Sequence, residues 1–164
     1  MIGGPGRCVT RPTNHPHASV ERPIIRTGGL VIISLAASTK SGPRAATKTR
    51  VSVQGVVSIF DGREDINPPV PLLKLPANAG DTWTVGPREN RRGPVAGHRC
   101  KVIGEEVVEV PAGKFTAIRV DSVYPADGAD STVSRWFAPN VGLVKMVNGG
   151  GSRTAVLKSF TPGK

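Results

Sequence analysis

The residues of this sequence that could do chemistry are few, and their spacing does not bring them together. His98 and Cys100 stand two positions apart and could supply two ligands to a metal ion. The other histidines, His15 and His17, lie in a proline-rich stretch, so a closed zinc site would need that stretch to fold over the domain. We therefore expect no metal site and no cofactor, and we interpret His98 as a loop histidine near a half-buried thiol.

One turn has the outline of a phosphate-binding loop but lacks its defining residues. In residues 110–114, Val-Pro-Ala-Gly-Lys, the upstream glycine position is taken by Val108, and Phe115 stands where Ser or Thr must follow the lysine. Proline ends a strand, and Gly113 can take the positive φ of a tight turn. We interpret the segment as a turn between two strands.

The acidic and hydroxyl side chains do not form a recognisable catalytic group. Glu105 and Glu106 are neighbours on a predicted strand, where successive side chains point to opposite faces, and Glu109 belongs with them as a solvated acid. No serine stands in a nucleophile elbow. We expect a non-enzymatic protein without catalytic residues, and a hydrolase with an unidentified site is the third hypothesis.

Positive charge is concentrated at the start of the chain. The net charge is +10 at pH 7, and residues 1–50 hold eight basic side chains and one acidic side chain. The rest of the chain has one dense basic run, which consists of Arg88, Arg91, Arg92, Arg99 and Lys101. No aromatic residues interleave with this run for base stacking, so a soluble loop is the favoured interpretation. The alternative is a binder of nucleic acid or anionic surfaces through the tail and the 88–101 loop.

The chain divides into a tail and a strand-rich body. Residues 1–28 are rich in proline and arginine and have no periodic apolar pattern, which predicts a disordered tail. Residues 29–162 are predicted to form a single antiparallel β-domain, in which residues 30–37 are a buried strand rather than a signal segment. Residues 39–49 are predicted to be a polar connection and residues 61–71 a loop. No apolar run is long enough for a transmembrane helix.

Five segments with strand character recur at short spacing in the C-terminal half, with Gly or Pro at nearly every break: 101–110, 115–123, 132–138, 143–147 and 154–160. This regular spacing, without an amphipathic helix, predicts an all-β fold: an antiparallel curved sheet or a partly open β-barrel with a disordered N-terminal tail. Alternation along the first segment places Val102, Val108 and Val110 on one face.

Aromatic residues offer one candidate for a ligand site. Trp83, Tyr124, Trp136 and Phe137 are most of the larger aromatic side chains, and they could line an apolar cleft on the concave face of a curved sheet. Core packing is the competing interpretation, and it is favoured for Trp83 and Trp136.

Several short motifs occur together in a fixed order. They are residues 73–76 (Leu-Lys-Leu-Pro), 80–83 (Gly-Asp-Thr-Trp), 110–115 (Val-Pro-Ala-Gly-Lys-Phe), 136–139 (Trp-Phe-Ala-Pro) and 141–145 (Val-Gly-Leu-Val-Lys). In this order they resemble a family of bacterial β-rich domains of unknown function, and the similarity covers about residues 50–162.

Members of that family are usually secreted, periplasmic or lipoprotein-anchored, so the resemblance implies a location in the cell envelope, periplasmic or extracellular. It implies no chemistry. Such domains generally begin with further strands and an export signal, and the proline-rich start of this chain therefore indicates an N-terminally truncated gene model or a divergent terminus. We expect a structural or interaction module of the envelope, whose partner is an envelope protein or an apolar ligand rather than nucleic acid.

Overall fold

The structure, a computed structural model, describes residues 17–26, 30–39, 42–126, 128–149 and 153–160. Within these ranges the chain forms thirteen β-strands: β1 His17–Arg26, β2 Leu30–Thr39, β3 Gly42–Ser52, β4 Gly55–Phe60, β5 Asp65–Lys74, β6 Thr82–Val85, β7 Arg88–Asn90, β8 Gly93–Val95, β9 His98–Val110, β10 Gly113–Tyr124, β11 Ser131–Ala138, β12 Gly142–Asn148 and β13 Arg153–Val156. In these parts of the chain, no helix is long and apolar enough to cross a lipid bilayer.

The strands build two antiparallel sheets and one small hairpin. The first sheet is a meander in the order β1-β2-β3-β4-β5, and the second has the order β13-β12-β11-β10-β9-β6. Within the described ranges, strands β7 and β8 pair only with each other. The prediction of an all-β antiparallel fold is confirmed, and the sheets are not closed into a barrel.

The two sheets pack against each other through one hydrophobic core, here called the inner cluster. It joins side chains of β4 and β5 from the first sheet to side chains of β6, β9, β10 and β11 from the second: Val56, Ile66, Val70, Leu73, Trp83, Val85, Cys100, Val102, Val120 and Phe137. Trp83 also donates a hydrogen bond from Nε1 to the carbonyl oxygen of Pro71, at 3.3 Å. Because β5 and β6 are the edge strands of their sheets, this bond ties the two edges together.

A second core, the outer cluster, covers the opposite face of the six-stranded sheet: Val108, Val110, Ala117, Trp136, Ala138, Val144 and Leu157. Leu157 follows β13 and is held over this face by backbone hydrogen bonds. Its N–H donates to the carbonyl of Val144, and its carbonyl accepts from the N–H of Ala112 in the β9–β10 turn. Residues 110–114, which have the outline of a phosphate-binding loop, therefore form a turn between two strands, as predicted.

A β-bulge in β9 decides which residues reach each cluster. Gly104 pairs with Arg119 and Val102 pairs with Val120, so Ile103 is an extra residue without a partner on β10. One extra residue reverses the alternation of side chains beyond it. The prediction that Val102, Val108 and Val110 share a face is wrong for this reason: Val102 lies in the inner cluster and the two others in the outer one.

The N-terminal elements differ from the expected tail. Residues 1–16 and 27–29 lie outside the described ranges, but His17–Arg26, within the predicted tail, forms β1 and pairs with β2. Strand β1 is an edge strand, and its pairing register shifts between Glu21 and Ile24, around Pro23. Edge strands and bulges tolerate proline because no second neighbour needs its missing N–H. Residues 30–37 are in strand β2, as predicted.

Two predicted connections are strands. The polar connection at residues 39–49 falls largely in β3, where Thr49 is buried while Lys48 and Arg50 are exposed. The described inward positions in this range are Thr47 and Thr49, so no apolar alternation marks it as a strand. The loop predicted at residues 61–71 falls largely in β5, whose prolines are compatible with a strand because β5 is an edge of its sheet.

The bulge yields a test of the fold. Gly104 has φ +142°, a region that residues with a Cβ rarely adopt. We expect Gly104→Ala to lower the free energy of unfolding by about 1–3 kcal/mol, measured by chemical denaturation. Gly86→Ala is the control, since a Cβ at Gly86 meets no atom within 4 Å and its φ is not in that region. Equal stability of the two variants would contradict the assignment of the bulge.

Candidate functional site

The candidate site is a half-open cavity of about 170 Å³ between the two sheets. The first sheet contributes residues from β3, β4 and β5, and the second contributes residues from β6, β9, β10 and β11. The β7–β8 hairpin and the short segment before β9 form part of its rim through Arg88, Val95 and Ala96. The cavity therefore lies where the packing of the two sheets leaves space beside the inner cluster.

The wall of this cavity is divided into an apolar and a polar part. The apolar part continues from the inner cluster and consists of Ile66, Val70, Leu72 and Val85. The polar part consists of Thr47, Ser58, Asp61, Arg88, His98, Tyr124 and Arg135. An apolar wall with a few converging polar groups is the usual composition of a small-molecule site.

Arg135 organises the polar part. Its Nη1 donates to Ser122 Oγ at 2.9 Å, and its Nη2 donates to Tyr124 Oη at 3.4 Å. Strand β11 presents Arg135 on the face that carries Phe137, two residues away, which lies in the inner cluster. The guanidinium is thus held between the strand pair β10–β11 and the cavity, with its orientation set by two hydrogen bonds.

His98 is the most deeply placed polar residue of the cavity wall. Only 8% of its surface is exposed, and its ring stacks on that of Tyr124 with centroids 4.3 Å apart and planes 24° from parallel. Its Nε2 is buried and has no hydrogen-bond partner among the residues that the structure describes. A buried nitrogen without a partner is uncommon in folded proteins, because desolvation of the nitrogen is then not compensated.

The surroundings of His98 favour a neutral imidazole. Burial lowers the pKa of His98 below its ordinary value of 6.5, and the positive charges of Arg135 and Arg88 lower it further. A neutral imidazole has one N–H donor and one acceptor nitrogen. In the tautomer that carries its proton on Nε2, His98 has an N–H donor that no described residue accepts.

Cys100 lies two residues along the same face of β9 but is not placed for nucleophilic chemistry. It is 1% exposed, and its Sγ lies 3.4 Å from Ser122 Oγ. Burial raises the pKa of the Cys100 thiol, while Ser122, Arg135 and Lys74 act in the opposite direction with less effect. The neutral thiol is a poor nucleophile. Within the residues that the structure describes, no group of three or more His, Cys, Asp or Glu side chains could hold a metal ion.

The four aromatic residues proposed from the sequence do not line one cleft. Tyr124 lines the cavity. Trp83 and Phe137 are buried in the inner cluster, beside the cavity rather than in its wall. Trp136 points to the opposite face of the sheet, where Arg119 and Lys145 lie against its ring and Glu106 accepts its Nε1–H.

The five basic residues of the predicted 88–101 loop are also separated. Arg88 lines the cavity, while Arg91 contacts Glu64 through a salt bridge of 3.7 Å and Arg92 stands in the β7–β8 turn. Arg99 and Lys101 are exposed on β9, between the inward-facing His98, Cys100 and Val102. The segment is thus a hairpin followed by a strand, and its basic side chains do not form one surface.

His98 and Arg135 were missed as a pair by the sequence-based prediction. The two residues are far apart in the chain, and neither belongs to a recognisable motif. One signal was available for His98: if the strand is extended back from Val102, the positions of His98 and Cys100 fall on the same inward face. Arg135 alternates in the same way with Phe137, but nothing in the sequence indicates that a charged side chain would occupy this face.

Comparisons with known proteins found no relative that could inform this site. A scan against protein-family models found no match, and neither a search of curated proteins nor a search of solved structures found a significant one. The resemblance to bacterial envelope domains therefore stays a prediction.

The lowered pKa of His98 makes the stability of the protein depend on pH. As the pH falls through 6.5, the unfolded chain takes up a proton at His98 before the folded protein does, so the free energy of unfolding decreases. His98→Phe keeps a ring against Tyr124 but cannot titrate. We expect the variant to lose less stability than the natural sequence between about pH 7.5 and 5.5, measured by chemical denaturation. Equal losses would contradict a buried neutral His98, since all other titrating groups are common to both proteins.

Proposed function

We propose that this protein is a non-enzymatic β-domain that binds a small organic molecule in the cavity between its two sheets. The observation that supports this proposal is that His98, whose Nε2 has no hydrogen-bond partner among the described residues, lines a cavity together with apolar side chains. A purely structural interior would be expected to fill this space with side chains or to give the nitrogen a partner. A bound molecule would fill the space and also give the nitrogen a hydrogen-bond partner.

The size of the cavity limits the ligand. A cavity of ~150 Å³ in another protein is large enough for benzene, and here the volume is about 170 Å³. The cavity is also open at its rim, so a substituent of the ligand can extend toward Arg88 and Ala96. This favours a molecule with one ring or a short branched chain over a lipid with a long acyl chain.

The chemistry around the cavity favours binding over catalysis. Cys100 is a buried neutral thiol hydrogen-bonded to Ser122, and among the described residues the Nε2 of His98 has no hydroxyl or thiol partner that it could activate as a base. Arg135 is engaged with Ser122 and Tyr124, which suits a fixed anchoring group. The expected role is therefore that of a ligand-binding module of the cell envelope, and this refines the apolar-ligand hypothesis by adding a polar end to the site.

The envelope location rests on the sequence resemblance alone. We expect fractionation of cells that express the natural gene to place the protein in the periplasmic or extracellular fraction. Recovery with the cytoplasmic fraction would contradict the location without affecting the proposal for the cavity.

Blocking the cavity tests the proposed function. The probes are benzoate, benzamide and benzylamine, which share a ring and differ in charge, and their binding is followed by backbone amide shifts in NMR spectra of the full chain. We expect at least one of them to shift the amides of β9, β10 and β11 beside the cavity, with a dissociation constant in the range of about 0.1–10 mM. Ala96 is exposed at the rim of the cavity, so Ala96→Trp should fill the entrance and abolish these shifts.

The matched control is Ala79→Trp, which introduces the same side chain at an exposed alanine outside the cavity. This variant should bind the probes like the natural sequence. The proposal fails if none of the three probes binds, or if Ala96→Trp and Ala79→Trp bind them equally well.

A further inference from the structure

We infer that the ligand of this cavity is a small organic anion, with its charged group held by Arg135 and Arg88 and its apolar body against Ile66, Val70 and Leu72. This inference rests on the proposed function, and it specifies the charge and the orientation of the ligand. Its basis is the pairing state of the charged groups in the cavity wall.

The guanidinium groups of Arg135 and Arg88 both have N–H donors available to a ligand. Arg135 uses two of its N–H groups on Ser122 and Tyr124, and a guanidinium has more donors than these two bonds require. Arg88 is half-buried at the rim, and no hydrogen bond of its side chain is seen among the described residues. The fork of an arginine matches the two oxygens of a carboxylate, and such pairs are stronger than neutral hydrogen bonds.

The cavity holds an excess of positive charge. Within the described ranges, no carboxylate lies within 4.0 Å of the guanidinium of Arg88 or Arg135, although Arg91 and Arg119 elsewhere do have such partners. Among the described residues, Asp61 is the one carboxylate in the cavity wall, and its Oδ1 already accepts the N–H groups of Arg63 and Glu64 in its own turn. Two cations and one turn-bound carboxylate leave a net charge that an anion can neutralise.

His98 adds an independent indication of a ligand. The residue is more than nine-tenths buried and lines the cavity, and its Nε2 has no hydrogen-bond partner among the described residues. Arg135 and Arg88 are both near enough to lower its pKa, so the two charges and the free nitrogen lie in one region. An oxygen of an anionic ligand placed between the guanidinium groups would therefore be positioned to accept a hydrogen bond from the Nε2–H tautomer.

The apolar side chains of the lining favour an organic anion over a purely inorganic one as the full occupant. Ile66 and Val70 belong to the inner cluster and Leu72 packs beside it, so this part of the wall offers no hydrogen bonds from its side chains. Water against these side chains is unfavourable, and an apolar group of the ligand would displace it. A carboxylate with a short aliphatic or aromatic body can bind the arginine side chains through its charge and contact the apolar side chains through its body.

The test compares three ligands on four proteins. Benzoate, benzamide and inorganic phosphate are titrated into the natural sequence, Arg135→Gln, Arg88→Gln and Arg92→Gln, with NMR shifts as the readout and thermal unfolding to establish that each variant is folded. We expect benzoate to bind about tenfold or more tightly than benzamide and phosphate, and each cavity variant to lose about tenfold in benzoate affinity. Arg92→Gln, in the hairpin turn outside the cavity wall, should bind benzoate as the natural sequence does.

Each other outcome has a defined meaning. Equal binding of benzamide and benzoate in the cavity would overturn the anion inference and leave the proposed function standing. Tighter binding of phosphate than of benzoate would overturn the assignment of an organic body. If Arg135→Gln does not fold, Arg88→Gln decides, because Arg88 makes no side-chain bond in the described structure; unchanged benzoate affinity in that variant would contradict the inference. Absence of binding by any probe would contradict both proposals.

Discussion

The bulge at Gly104 is the constraint on which the packing of the larger sheet depends. The buried residues of β9 before the bulge face the other sheet, and the buried residues after it face the opposite side, where the chain segment at Leu157 covers them. A regular strand would send His98, Val102 and Val108 to the same face. With the bulge, β9 contributes side chains to both clusters, and its first half places the polar side chain of His98 in the space between the sheets.

The polar part of the cavity is the costly feature of this arrangement. A half-buried guanidinium at Arg135 and a buried imidazole at His98 both lose hydration on folding, for which Arg135 gains bonds to Ser122 and Tyr124 and His98 gains a ring stack on Tyr124. Apolar side chains at these two positions would extend the inner cluster. Polar groups retained at a stability cost are commonly those that a protein uses for recognition, and the proposed site is consistent with this pattern.

The sequence predicted the strands whose pattern is local and missed the features that depend on tertiary context. Strands β9 to β13 were recognised because apolar alternation and Gly or Pro breaks mark them, as at Pro111 and Gly113. Strands β3 and β5 were missed because threonines and edge prolines replace those signals. The cavity could not be predicted, since His98, Tyr124 and Arg135 come from three neighbouring strands of the six-stranded sheet and Arg88 from the β7–β8 hairpin, and these elements are brought together only in the folded chain.

The chain holds two tryptophans, and the fold places one on each side of the six-stranded sheet. Trp83 lies in the core between the sheets, near Lys74, whereas Trp136 lies beneath the C-terminal segment with cations at its ring and a carboxylate at its nitrogen. Their fluorescence therefore reports on two separate environments. Loosening of the C-terminal segment would change the emission of Trp136 while that of Trp83 stays constant. Tryptophan fluorescence during unfolding can therefore show whether the inner and outer clusters unfold together.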